Sequence, residues 1–132
     1  MKKIITLVLI VIIFTVVHLI QANAQTLKRI EFAKGRSAAT IKGTTGSHGV
    51  TYVIRAKSGQ KLILDLTPIN RVGIKVETEG SYGKTILLRE ETGGTYEVGL
   101  EESGDYTIFI GSTNNKPVSF TLTVKTDKLA DI

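Results

Sequence analysis

The 132-residue chain predicts an all-β protein, an antiparallel β-sandwich of jelly-roll type with about eight to nine strands. Three observations carry this. Apolar and polar residues alternate with period two in run after run, as in Tyr52-Val-Ile-Arg-Ala56 and Tyr106-Thr-Ile-Phe-Ile110. The runs recur every ~8–12 residues with Gly, Pro, Asn or Ser turn signals between them. Beyond the N-terminal segment, no window holds a helical period, and all 13 glycines lie there, as many tight turns require.

The N-terminal segment stands apart. Met1-Lys2-Lys3 is a short positive stretch, Ile4 to Ile20 is apolar except for Thr6, Thr15 and His18, and Ala22-Asn23-Ala24 supplies a small-x-small cleavage pattern. Residues 1–24 read as a signal peptide and 25–132 as a single β-sandwich domain starting at Gln25. The competing reading is an uncleaved anchor, since this run is at the lower limit for spanning a bilayer. Either way the domain is placed outside the cytoplasm, periplasmic or secreted, with the membrane met only in transit. No cysteine stands at the cleavage region, which excludes a lipoprotein anchor.

In the domain, Leu27 to Phe32 points Ile30 and Phe32 inward, and Ala39, Ile41 and Gly43 share the inner face of a second strand. Thr44-Thr-Gly-Ser-His-Gly49 is a polar loop. Thr51 to Leu66 reads as a β-hairpin, with Tyr52, Ile54, Ala56, Leu62, Leu64 and Leu66 inward and Gly59 in the reversal. Pro68-Ile-Asn-Arg71 is a turn, because proline cannot continue a ladder. Gly73 to Glu77 follows with Ile74 and Val76 inward, then a polar loop Glu79–Lys84, then a short apolar strand Thr85–Arg89. Tyr96, Val98 and Leu100 face the core, Glu101-Glu-Ser-Gly104 turns the chain, and Tyr106, Ile108 and Ile110 face inward again. This second unit, from Gly99 to Ile110, repeats the pattern of the first. Gly111 to Pro117 is the last large loop, Phe120, Leu122 and Val124 close the sheet, and Asp127 to Ile132 reads as a frayed tail. By the same parity Val53, Ile63 and Phe109 point outward. Where their strands neighbour one another they form an apolar patch, covered by a loop or the N-terminal strand, or else used as a partner or dimer surface.

Composition excludes several chemistries. Cysteine is absent, which removes disulfides, zinc–thiolate sites and thiol catalysis and leaves the core to hold the fold. Lys2 and Lys3 leave with the signal peptide and no acid does, so the +5 of the whole chain falls to +3. The charges are interleaved, without the clustered basic footprint of a nucleic-acid binder. His48 is the sole histidine of the domain; Ser47 beside it points the other way on an extended chain and makes no catalytic pair. Gly43-x-x-Gly46-x-x-Gly49 lacks the helix N-terminus a phosphate cradle uses. The pairs Glu90-Glu91 and Glu101-Glu102 lie in solvated turns rather than facing a bound sugar. Glu101, Glu102 and Asp105 are hard-oxygen donors near one turn, but without the Asp-rich spacing of a dedicated calcium loop. No enzyme, cofactor or metal site is predicted. Function then falls to loop tips on a rigid scaffold, with Ser47, His48, Thr113, Asn114, Asn115 and Lys116 as the target-binding candidates.

Three segments together resemble a known family: Arg29-Ile-Glu-Phe-Ala-Lys-Gly-Arg-Ser-Ala-Ala-Thr40, Tyr52-Val-Ile-Arg-Ala-Lys-Ser-Gly-Gln-Lys-Leu62 and Leu100-Glu-Glu-Ser-Gly-Asp-Tyr-Thr-Ile108. They are similar to the bacterial periplasmic inhibitors of g-type lysozyme, within the wider pre-peptidase C-terminal β-sandwich domains. The resemblance implies an exported, non-catalytic protein whose loops enter the lysozyme cleft and cover its catalytic carboxylate. In that family an aromatic hydroxyl in the loop before the Thr51–Leu66 unit and arginines in the last large loop take this part. Here those places hold Ser47 and Thr113-Asn114-Asn115-Lys116, and the last loop is shorter. The alternative is a module of the same scaffold that binds cell-wall glycan or an envelope protein without inhibiting anything. Oligomeric state is not written in the sequence.

Overall fold

A computed structural model describes residues 27–80 and 83–128, without the Glu90 side chain. The proposed signal peptide, residues 25–26, residues 81–82 of the expected polar loop and the last four residues lie outside the described residues. The strands are β1 (Leu27–Ile30), β2 (Ala38–Thr44), β3 (Val50–Ala56), β4 (Gln60–Thr67), β5 (Val72–Gly80), β6 (Gly83–Thr92), β7 (Gly94–Gly99), β8 (Gly104–Ser112) and β9 (Ser119–Lys128). They form two sheets, one of five strands in the order β1-β3-β8-β5-β6 and one of four in the order β2-β9-β4-β7.

The alternating residues do what their period requires. Tyr52, Ile54, Val76, Ile108 and Ile110 from the larger sheet meet Leu62, Leu64, Leu66, Leu122 and Val124 from the smaller, and all are buried. Between the sheets the Tyr52 and Phe120 rings meet edge to face, 6.2 Å apart at 78°. All pairings are antiparallel except β1 with β3, which is parallel.

Thr51 to Leu66 is not a hairpin. β3 pairs with β8, and β4 pairs with β7 and β9, so the chain leaves one sheet at Ala56 and enters the other at Gln60. Gly99 to Ile110 is likewise an arch, from β7 to β8. The two arches clasp each other. The Gly59 N–H donates to Leu100 O at 3.0 Å, the Leu100 N–H to Gln60 O at 2.9 Å, and the Ser58 N–H to Ser103 Oγ at 2.9 Å. Arch and hairpin bury the same residues, side by side in a hairpin and face to face across an arch, so period two does not separate them. Among the described residues only the β5–β6 connection stays within one sheet. Its strands run into the segment expected to be a Glu79–Lys84 loop, and β6 continues past Arg89 to Thr92. Two register shifts between β5 and β6 bend this edge, a device that discourages edge-to-edge pairing.

The expected outward patch is divided for the same reason. Val53 and Phe109 lie on adjacent strands of the five-stranded sheet, whereas Ile63 lies on the four-stranded one. All three are half-buried.

Two tyrosines fasten strand starts to the turns before them. The Tyr106 hydroxyl donates to Glu102 O, and the Tyr96 hydroxyl to Thr92 O at 2.6 Å. Each gives the O–H a partner four residues upstream, as in a tyrosine corner, with the Tyr106 ring buried and the Tyr96 ring partly so.

Candidate functional site

The strand directions gather four connections at one end of the sandwich: the β2–β3, β4–β5, β6–β7 and β8–β9 loops. All six candidate residues lie there, in two loops that touch. The buried Thr45 is the clip: its N–H donates to Val118 O at 3.0 Å, and its Oγ1 accepts from the Val118 N–H at 3.1 Å. Gly46-Ser47-His48 turns outward from this anchor, and both Ser47 and His48 are exposed.

The second loop is ordered from within. Asn114 Oδ1 accepts from Ser112 Oγ at 2.8 Å and from the Lys116 N–H at 3.1 Å. Asn115 sits at φ 60°, a left-handed conformation that Asn tolerates better than most residues. Asn114 is therefore in part a brace, with its amide N–H groups left to face a partner. Lys116 is exposed and joins no ion pair among the described residues.

Thr113 carries the connection onward. Its N–H donates to Arg71 O at 3.2 Å, which brings the β4–β5 loop beside the last one. The Gly93 N–H, shared between Ile69 O and Val72 O at 2.9 Å each, holds that loop from the other side. Arg71 is exposed, likewise joins no ion pair among the described residues, and was missed in the sequence, where Pro68 to Arg71 reads only as a turn. Beside it runs an open groove of about 590 Å³, lined by Lys42, Thr44, Thr67, Arg71, Phe120 and Thr121 among others.

The electrostatics follow from composition and place. Residues 45–49, 68–71 and 113–118 contain an arginine, a lysine and a histidine and no carboxylate. The ion pairs lie elsewhere on the sheets. Arg29 reaches Asp105 with two parallel contacts of 3.1 Å, and Glu77 lies between Lys84 at 2.9 Å and Lys75 at 3.0 Å. The hydrogen bond from Lys84, then that from Lys75, holds the Glu77 carboxyl below its ordinary range, and the bond from Arg29 does the same for Asp105. With Asp105 engaged by Arg29, the turn at Glu101, Glu102 and Asp105 gathers no group of three metal-binding side chains among the described residues.

No family model matches the chain, and no curated protein does. Solved structures do. PliG of Aeromonas hydrophila, a periplasmic inhibitor of g-type lysozyme, superposes with a TM-score of 0.67 at 24% identity, over 77% of this chain and 96% of that one. PliG of Salmonella Typhimurium, described in the same terms, gives 0.61 at 23% identity, over 79% and 100%. The pre-peptidase C-terminal domain of a Bacillus anthracis collagenase gives 0.52 at 13% identity, over 80% and 98%. At these identities the likeness establishes a shared fold, a β-sandwich matched along nearly the whole length of each neighbour.

Proposed function

We propose that this chain is an exported inhibitor of g-type lysozyme that acts by placing its four-loop end in the enzyme's cleft. The observation that carries the reading is the convergence of Arg71, Lys116 and His48 at one end, with no carboxylate in their loops, on a scaffold of the same fold as PliG inhibitors. A glycoside-hydrolysing cleft presents acidic side chains. A cation entering it exchanges water for a charge-assisted hydrogen bond in a desolvated place, where such bonds are strongest.

Arg71 answers the main difference from the family pattern. The last large loop supplies only Lys116, but the Thr113–Arg71 backbone bond sets an arginine next to it from the neighbouring loop. Arg71 offers a planar fork suited to a carboxylate, and Lys116 a mobile point charge. Thr45, Thr113 and Asn114 pre-order the loops, which lowers the entropy lost on docking.

The test is a turbidity assay of g-, c- and i-type lysozymes on a cell-wall suspension with the purified protein. Inhibition of the g-type enzyme is expected. Arg71→Ala and Lys116→Ala should each weaken it about tenfold or more, the loss of ~1.5–3 kcal/mol for a charge-assisted hydrogen bond. No inhibition of any type at micromolar protein overturns the proposal. An inhibition constant unchanged in Arg71→Ala, Lys116→Ala and His48→Ala overturns the assignment of the loops.

A further inference from the structure

A cavity of about 350 Å³ opens on the outer face of the five-stranded sheet, away from the sandwich core, and its lining is chemically mixed. Phe109 forms one wall, Thr92 and Thr113 line the polar side, Glu91 presents its backbone O beside Gly73, and Lys75, paired with Glu77, stands at the rim with its ammonium 5.6 Å from the Phe109 ring centre. The floor is backbone. Gly73 and Gly111 face each other across β5 and β8 in positions where every other outward residue of those strands carries a side chain.

Neither glycine is required by its dihedral angles, since neither has a positive φ. Glycine inside a strand costs stability and marks a place where another group approaches the backbone. A Cβ at Gly73 would come within 3.2 Å of Glu91 O, and one at Gly111 within 3.1 Å of the Phe109 ring, so side chains there would crowd the cavity. The Phe109 ring itself leans on Gly49 and Gly111, which leaves the Gly73 side of the floor open.

From this lining we infer that the cavity seats one ring of a neutral saccharide. A purely apolar occupant would strip water from the Thr92 side chain and the Lys75–Glu77 ion pair without replacing it, which is costly. A small ion would leave the Phe109 wall and the flat floor unused. A sugar ring has an apolar face for the aromatic and backbone surfaces and hydroxyls for Thr92, Thr113 and Lys75. The volume lies near the lower end of the range for small-molecule sites, as a single ring requires. The inference does not rest on lysozyme inhibition, and its test contains no lysozyme.

The test is a titration of the ¹⁵N-labelled protein with maltotriose and, separately, with a trisaccharide of N-acetylglucosamine. At sugar concentrations up to ~10 mM, the range of a weak one-ring site, amide shifts should move at Gly73, Lys75, Thr92, Gly111 and Thr113 with at least one of them. Phe109→Ala and Gly73→Val, each judged folded by its own dispersed spectrum, should weaken the dissociation constant at least ~10-fold. Thr92→Val, which keeps shape and removes the hydroxyl, should weaken it less. Absence of shifts at these residues with both sugars, shifts centred elsewhere, or affinity unchanged in folded Phe109→Ala overturns the inference.

Discussion

Gly93 is the point at which the loop end is fastened to the sandwich, and its replacement by alanine is predicted to cost more than that of Gly59 in the β3–β4 turn. Its Cβ would lie 2.6 Å from Pro68 O, 2.8 Å from Ile69 Cα and 2.9 Å from Leu66 O. All three neighbours are backbone atoms, so no side chain can swing aside. Relief requires moving the β6–β7 corner away from the β4–β5 loop, which stretches the N–H shared by Ile69 O and Val72 O. Overpacking of this kind costs about 1–3 kcal/mol, and the weakened hydrogen bonds add about 1 kcal/mol. A total of about 3 kcal/mol lowers Tm by about 12–24 °C in a domain of this size. Gly59→Ala is the comparison: its φ is +81°, but nothing lies within 4 Å of the added methyl, so only the left-handed backbone penalty of about 1–2 kcal/mol applies. Thermal unfolding followed by circular dichroism reads both. A Tm for Gly93→Ala within ~2 °C of wild type, or a drop no larger than that of Gly59→Ala, refutes the claim that this corner is locked.

Two further predictions concern stability. Tyr106→Phe removes the hydroxyl that meets Glu102 O and should lower stability by about 1–2 kcal/mol in urea, with the m-value unchanged. Glu77→Gln tests the acid limb. Because the folded-state pKa of Glu77 lies below the ordinary value of 4.5, its contribution is present above about pH 4.5 and is lost as pH falls through the lowered value. Glu77→Gln should therefore be less stable at neutral pH and lose less stability on acidification, and a wild-type acid limb in this variant would contradict the role given to Lys84 and Lys75.

The core was legible because burial follows period two whatever the topology: Tyr52, Ile54, Leu62, Leu64, Ile108 and Leu122 are where alternation puts them. What alternation does not contain is the partner of a strand. The arch at 57–59 and its clasp to Leu100 depend on contacts some 40 residues apart in the chain, and nothing local to Thr51–Leu66 distinguishes them from a hairpin. The same lack split Ile63 from Val53 and Phe109, and it hid the Gly73–Gly111 floor, which exists only once β5 and β8 are paired. At the candidate site, Ser47, His48 and Thr113 to Lys116 stood out as polar loop residues. Arg71 did not, because its place beside Thr113 comes from a backbone bond between separate loops.

The most direct test of the account is amide hydrogen exchange of the protein with and without a g-type lysozyme. Slowed exchange is predicted at residues 45–49, 69–71 and 113–118, with the arches at 57–59 and 100–103, at the opposite end, unchanged. Slowing confined to the arch end or to a sheet face, in a complex that still inhibits, would contradict the claim that the four-loop end is the working surface.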